Sequence, residues 1–107
     1  MKKIEAIICP AKMEALKDAL SAANVKGMTI SQVKGFGNQR GWTEYFRGSE
    51  ILVNLVPKVK FEIVTTDEHV DAIVDLILET ARSGKVGDGK IFVQPIDEVI
   101  RIIRSSK

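Results

Sequence analysis

Apolar residues recur along this chain with two periods, and the switches between them mark its elements. Residues 2–9 alternate Ile4, Ala6 and Ile8 against Lys3 and Glu5, the pattern of a half-buried strand, with Ile7 and Cys9 making its second face partly apolar. Pro10 stops that strand and suits the first turn of a helix. Residues 11–24 place Met13, Leu16, Leu20 and Ala23 at helical spacing, with Glu14, Lys17 and Asp18 facing water, and Asn24 and Gly27 supply the stop. Met28 to Phe36 is rich in β-branched residues and predicts a second strand. After a long interval, Val59, Phe61 and Ile63 alternate with Lys58, Lys60 and Glu62 in a third. Thr65 and Glu68 have the spacing of a capping box, Asp67 is an equally good cap, and Val70, Ile73, Val74, Ile77, Leu78 and Ala81 form the clearest amphipathic stripe. Gly84 is the natural stop for that helix. Ile91 and Val93 alternate with Phe92 and Gln94 in a short fourth strand broken at Pro95, and a tail, 96–107, carries Val99, Ile100, Ile102 and Ile103 beside Arg101 and Arg104.

The predicted order is β-α-β-β-α-β. Two right-handed βαβ crossovers side by side give an α+β, ferredoxin-like fold: a four-stranded antiparallel sheet with both helices on one face. The other face then needs cover. Ile7, Val64, Phe92 and the apolar tail supply it by meeting other subunits, so an oligomer is expected.

The interval from Gly35 to Lys60 has little helical periodicity, and so long a stretch inside a domain of 107 residues is usually functional or disordered. Trp42, Tyr45, Phe46 and Arg47 are residues of the kind that anchor partners, while Gln39, Arg40, Thr43 and Glu44 keep the segment polar. A protruding loop ordered by what it binds is the reading. Composition then narrows the field. One domain is expected; the net charge of +2, with scattered Lys and Arg, gives no nucleic-acid footprint. The single Cys9 excludes an internal disulfide and fits a reducing cytosol. No run approaches a membrane span, so no direct insertion is expected, and the single His69, at the head of a helix, is expected to be a solvated surface residue.

Residues 84–91, GKVGDGKI, nearly spell a P-loop, but Ile91 stands where Ser or Thr should hold Mg²⁺, and the segment leads into a strand. What survives is a set of glycines that let backbone N–H groups turn inward, with Lys90 adding charge, a concavity suited to phosphate oxygens. Alone it reads first as an ordinary glycine turn. Gly35, Gly37 and Gly41 are no dinucleotide fingerprint either, because Arg40 occupies the last glycine's place and no helix follows. Yet the loop after strand two and the loop before strand four can converge across a subunit boundary, where Arg101 and Arg104 become further phosphate partners. The inference is to a nucleotide or other polyphosphate held between subunits. Catalytic constellations are poor: Ser49 and Ser83 lack a histidine within reach, and Cys9 reads as a small buried hydrophobe. Glu62 and Asp88 are carboxylates able to contact a nucleotide, though a solvated charge is the commoner role.

Taken together, KGFGNQRG (34–41), TEYFRGSE (43–50), LVPKVKFEIV (55–64) and RSGKVGDGKIFVQPIDEVIRI (82–102) resemble the PII signal transduction proteins, essentially from end to end. The resemblance implies a cytoplasmic homotrimer binding ATP or ADP competitively in three clefts between subunits. Its nucleotide site maps to Gly35, Gly37, Gln39, Lys58, Glu62, Val64, Gly87, Asp88, Gly89, Lys90 and Arg101, with Asn38 and Arg104 beside them. A large loop, the T-loop, maps to 37–55, the phosphate-binding B-loop to 82–90, and the C-terminal tail to 96–107. The T-loop reaches a target protein, the cytoplasmic part of a membrane transporter or a metabolic enzyme, through Trp42, Tyr45, Phe46 and Arg47. Gln39 meets a metal only through Mg-ATP.

The departures from the family pattern are specific. Cys9, Asn38 and Ile103 stand where arginine is usual, and Ala11 where phenylalanine is usual. Ile51 replaces the uridylylated tyrosine, and Ser49 matches a position phosphorylated in cyanobacterial relatives. The expectation is a divergent, non-enzymatic sensor of ATP against ADP, any ATPase activity being slow and incidental, with a weakened or absent response to 2-oxoglutarate. One alternative is the ordinary nitrogen sensor, which binds Mg-ATP and 2-oxoglutarate and regulates an ammonium channel. A small phosphate-handling hydrolase of the same fold ranks below it, because Cys9-Pro10-Ala11 offers no cation until Lys12.

Overall fold

The computed structural model describes residues 1–36, 43–46, 49–52, 55–84 and 88–103, and only the backbone of residues 36, 43–46 and 49–52. β1 (Lys2–Ile8) is followed by a 3₁₀ turn at Pro10–Lys12 and helix α1 (Met13–Ala22). β2 (Met28–Phe36), β3 (Thr43–Phe46), β4 (Ser49–Leu52) and β5 (Leu55–Thr65) come next, then helix α2 (Val70–Ala81) and β6 (Gly89–Pro95). The main sheet has the order β2-β5-β1-β6 with every neighbour antiparallel. With both helices packed on one face, this is the expected ferredoxin-like arrangement.

The register explains which residues become core. Ile4 lies between Ile63 and Val93, Ala6 between Phe61 and Ile91, and Ile8 between Val59 and Gly89. Those rows face the helices, where Leu16 and Leu20 of α1 and Ile73, Ile77 and Ala81 of α2 close over them. Phe61 is fully buried at the centre, and burying such a side chain contributes about 1.5–3 kcal/mol. The alternate rows, Lys3, Glu5 and Ile7 on β1 and Lys58, Lys60, Glu62 and Val64 on β5, point to the face without helices. There Val64 and Phe92 are 39% and 48% exposed and Ile7 is half-buried, so the three apolar residues expected to need cover do lie on the open face.

Helix α1 ends as expected at Asn24, whose φ of 67° is left-handed. The Val25 N–H donates to Leu20 O at 2.9 Å and the Asn24 N–H to Ser21 O at 3.1 Å, the paired bonds of a Schellman stop. Ala23, expected on the buried stripe, is exposed because it already belongs to this turn. The start of α2 differs from expectation. Neither Thr65 nor Asp67 caps it: Thr66 occupies the cap of a 3₁₀ turn, Asp67–His69, and makes no side-chain capping bond. The Thr66 hydroxyl instead pairs with Nδ1 of His69 at 3.0 Å, and the Asp67 carboxylate lies 3.0 Å from the Met1 amine. His69 is exposed.

Two further differences concern the long interval. β5 begins at Leu55, ahead of Pro57, where the sequence suggested that the strand starts only afterwards. Pro57 is tolerated because β1 pairs with β5 no further than Val59, leaving residues 55–58 with β2 as their one strand neighbour among the described residues and Pro57 on an edge open there. Within the interval, β3 and β4 pair antiparallel from Thr43 opposite Leu52 to Phe46 opposite Ser49, so part of the expected loop is a hairpin.

Candidate functional site

The glycine segment after α2 is held by one carboxylate. Arg82 leaves the helix in an extended conformation, and Gly84 follows with φ +82°. Asp88 then reaches back: Oδ2 accepts the Ser83 N–H at 2.9 Å and the Gly84 N–H at 3.0 Å, and Oδ1 accepts the Ser83 hydroxyl. These donors favour the charged form, the Ser83 hydroxyl most, so Asp88 titrates below the usual carboxylate range. With the folded value depressed, the brace is intact at neutral pH and is lost only as the pH falls below about 4. The sequence suggested that these glycines turn N–H groups toward a phosphate. Of those glycine amides, that of Gly84 is taken by Asp88, as is the Ser83 amide beside it, and Gly87 lies outside the described residues.

Gly89 anchors the far side. It opens β6 opposite Ile8 with φ +125°, and a Cβ there would lie 1.8 Å from the carbonyl oxygen of Ile7. Lys90 follows opposite Ile7, exposed, on the open face. The same end of the sheet holds Lys58 and Gly35. The Lys58 ammonium is 3.8 Å from Sγ of Cys9, and a Cβ on Gly35 would press to 3.2 Å from Cγ of Lys58. Cys9 is therefore a half-buried partner of a lysine just beyond β1, not the buried hydrophobe expected on a strand. A hollow of about 380 Å³ lies beside this pair, lined by Pro10, Val33, Lys34 and Pro57 among others. Another, of about 350 Å³, runs under Asp88, Gly89 and Lys90 against Ile77, Leu78 and Ala81.

On the same face, Glu62 lies at mid-sheet, opposite Glu5, and Val64 lies toward the opposite end, opposite Lys3. Val64 is six residues along β5 from Lys58, roughly 20 Å at the rise of a strand. Glu62 pairs with Lys3 at 3.1 Å, and Lys3 is also 3.9 Å from Glu5, which stands directly across from Glu62 in the register. β6 runs out at this end, and the tail departs where the Ile96 N–H donates to Met1 O at 3.1 Å; Arg101 is exposed further along it.

Structure thus brings Gly35, Lys58, Asp88, Gly89 and Lys90 to one end of the sheet, with Glu62 at mid-sheet and Val64 toward the other end. Gly37, Asn38, Gln39, Trp42, Arg47, Gly87 and Arg104 lie outside the described residues. Tyr45, Phe46 and Ser49 fall in the β3–β4 hairpin, where only the backbone is described. Sequence reasoning missed Ser83 as a loop donor, having weighed it only as a nucleophile. Its one signal is a Ser-Gly pair a few residues before Asp, a spacing common in turns.

Comparison with known proteins is decisive at the level of family. The family described as nitrogen regulatory protein P-II matches residues 1–107. The chain belongs to the P-II family. It is similar to nitrogen regulatory protein P-II of Pasteurella multocida, 55% identical over 102 residues covering 95% of this chain and 91% of the relative. It is 52% identical to nitrogen regulatory protein P-II of Nostoc punctiforme over 107 residues, 100% of this chain and 96% of that one. Nitrogen regulatory protein P-II 1 of Escherichia coli K12 is 54% identical over 102 residues, 95% and 91% of the two chains. P-II proteins are signal-transduction regulators that act on partner proteins and are not enzymes in general. Among the described residues, no helix is long and apolar enough to cross a membrane.

Proposed function

We propose that this chain is an adenine-nucleotide sensor of the P-II family, a cytoplasmic trimer holding ATP or ADP in each cleft between subunits. Residues 37–55 then dock on a transporter or a metabolic enzyme. The observation that carries the reading is the division of the mapped residues on the open sheet face. Lys58, Lys90 and the braced glycine loop gather at one end, while Val64 lies roughly 20 Å from Lys58 along β5 and Glu62 roughly 13 Å. One small ligand meets both groups most readily where the end of one copy adjoins the opposite end of another. The exposed Val64 and Phe92 on that face support such an assembly, because burying them removes apolar surface from water.

In this arrangement Lys90 and Arg101 donate charge-assisted hydrogen bonds to phosphate oxygens, each worth about 1.5–3 kcal/mol. Glu62 and Val64 meet the less charged part of the nucleotide, and Mg²⁺ arrives only with ATP, at Gln39. Calorimetry on Lys90→Ala tests the site. ATP and ADP should both bind at least ~10-fold more weakly, while sedimentation shows the same trimer. Unchanged affinity in a trimeric variant would remove Lys90 from the site.

A further inference from the structure

We infer that the Asp88 carboxylate is a positioning group rather than a ligand for nucleotide or magnesium: it holds Ser83 and Gly84 in place before any nucleotide arrives. This rests on the nucleotide reading above. Both carboxylate oxygens are committed to Ser83 and Gly84, through two backbone amides and one hydroxyl. An anion beside a phosphate site repels the ligand unless its charge is engaged, and here three donors within the loop engage it. The chain leaves α2 at Arg82, turns at Gly84 where φ is +82°, and is pinned again at Gly89 against the Ile7 carbonyl. Asp88 ties the first of these points to the last, so Lys90 starts from a fixed strand register. Pre-ordering of this kind raises affinity by lowering the entropy lost on binding.

The chemistry of the brace separates this role from direct contact. An asparagine oxygen can still accept both amides, and its NH₂ can donate to the Ser83 hydroxyl, which is able to accept. Asp88→Asn therefore keeps the brace without the charge, whereas Asp88→Ala removes both. With Ser83→Ala they form a cycle, read by ATP titration with and without Mg²⁺ and by hydrogen exchange of the Gly84 amide in nucleotide-free protein. The expected result is ATP affinity about 10-fold weaker in Asp88→Ala but within about 2-fold of the parent in Asp88→Asn, equally with and without Mg²⁺. Adding Ser83→Ala to Asp88→Ala should cost less than Ser83→Ala costs in the parent, since the bond between the hydroxyl and Asp88 is already gone. An asparagine variant as weak as the alanine one, a deficit confined to Mg-ATP, or effects that simply multiply would overturn the inference. The amide exchange separates the two readings. Protection in the parent and in Asp88→Asn, lost in Asp88→Ala, establishes the brace even if the parent binds no ATP, and in that event the nucleotide reading alone fails.

Discussion

Three glycines to alanine make a graded test of how the site is built. At Gly89 the new Cβ would sit 1.8 Å from the Ile7 oxygen and 2.9 Å from its carbonyl carbon, whereas real Cβ atoms essentially never approach within 3.0 Å. β1 and β6 must separate there by at least the difference, 1.2 Å, and the φ of +125° is strained for any L side chain. Strain of this kind costs of order 1–3 kcal/mol, and each ladder hydrogen bond given up about 0.5–1.5 kcal/mol. With one or two bonds lost, the sum is about 1.5–6 kcal/mol. Gly84→Ala meets nothing within 4 Å but keeps a φ of +82°, so only the conformational cost, about 1–2 kcal/mol, applies. Gly27→Ala meets nothing within 4 Å and carries no such φ, and it should be neutral to within about 0.5 kcal/mol. Thermal unfolding at one protein concentration reads the order, each kcal/mol moving Tm by about 4–8 °C in a domain of this size. Hydrogen exchange at Lys90 and Ile91 reads whether β6 has come away. If Gly89→Ala unfolds with Gly27→Ala and keeps its β6 amides protected, the close approach is not what requires glycine.

The remaining expectations concern the partner and the second ligand. Deleting residues 42–50 should abolish capture of the target while leaving ATP affinity within about 2-fold, and capture that survives would place the docking surface elsewhere. Titrating 2-oxoglutarate into Mg-ATP-saturated protein should show only weak binding. On the resemblance, Cys9 stands where a cation is expected, and one lost charge-assisted bond, about 1.5–3 kcal/mol, lowers affinity roughly 10- to 150-fold. Saturation at micromolar concentration would mark the ordinary nitrogen sensor.

Elements with long periodic patterns were legible in advance. β1, α1 and α2 each bury one stripe, and period alone places Ile4, Ala6, Ile8, Leu16, Leu20, Ile73 and Ile77 in the core. The β3–β4 hairpin was not, because four-residue strands are too short to show alternation against a charged background. Its one local signal in the sequence is Gly48, between TEYF and SEIL. From sequence alone β5 starts only after Pro57, because proline breaks a strand wherever both edges are paired. Only the register shows that one edge is open there. The site divides in the same way. Lys90 and the glycines announced themselves by composition, but the Asp88 brace and the Cys9–Lys58 contact depend on chain segments that only the fold brings together.

The placement of Lys58 bears on how a bound ligand reaches a partner. β2 and β5 continue beyond the end of β1 as a two-stranded ribbon, from Val33 opposite Lys58 to Phe36 opposite Leu55, and residues 37–54 connect the ends of that ribbon. Two-stranded ribbons twist more freely than wide sheets. Lys58 stands where the ribbon leaves the sheet, with its stem against Gly35 and its ammonium 3.8 Å from Cys9. On the proposed function, a phosphate that draws this ammonium away pulls on the root of the docking segment itself, so no relay through the core is required. Two ligands shift a loop equilibrium only by the difference in their affinity for its two states, and a 10-fold bias needs about 1.4 kcal/mol. One charge-assisted bond to Lys58, made with one nucleotide and absent with the other, is worth about 1.5–3 kcal/mol. A single contact at this position is therefore large enough to set the loop.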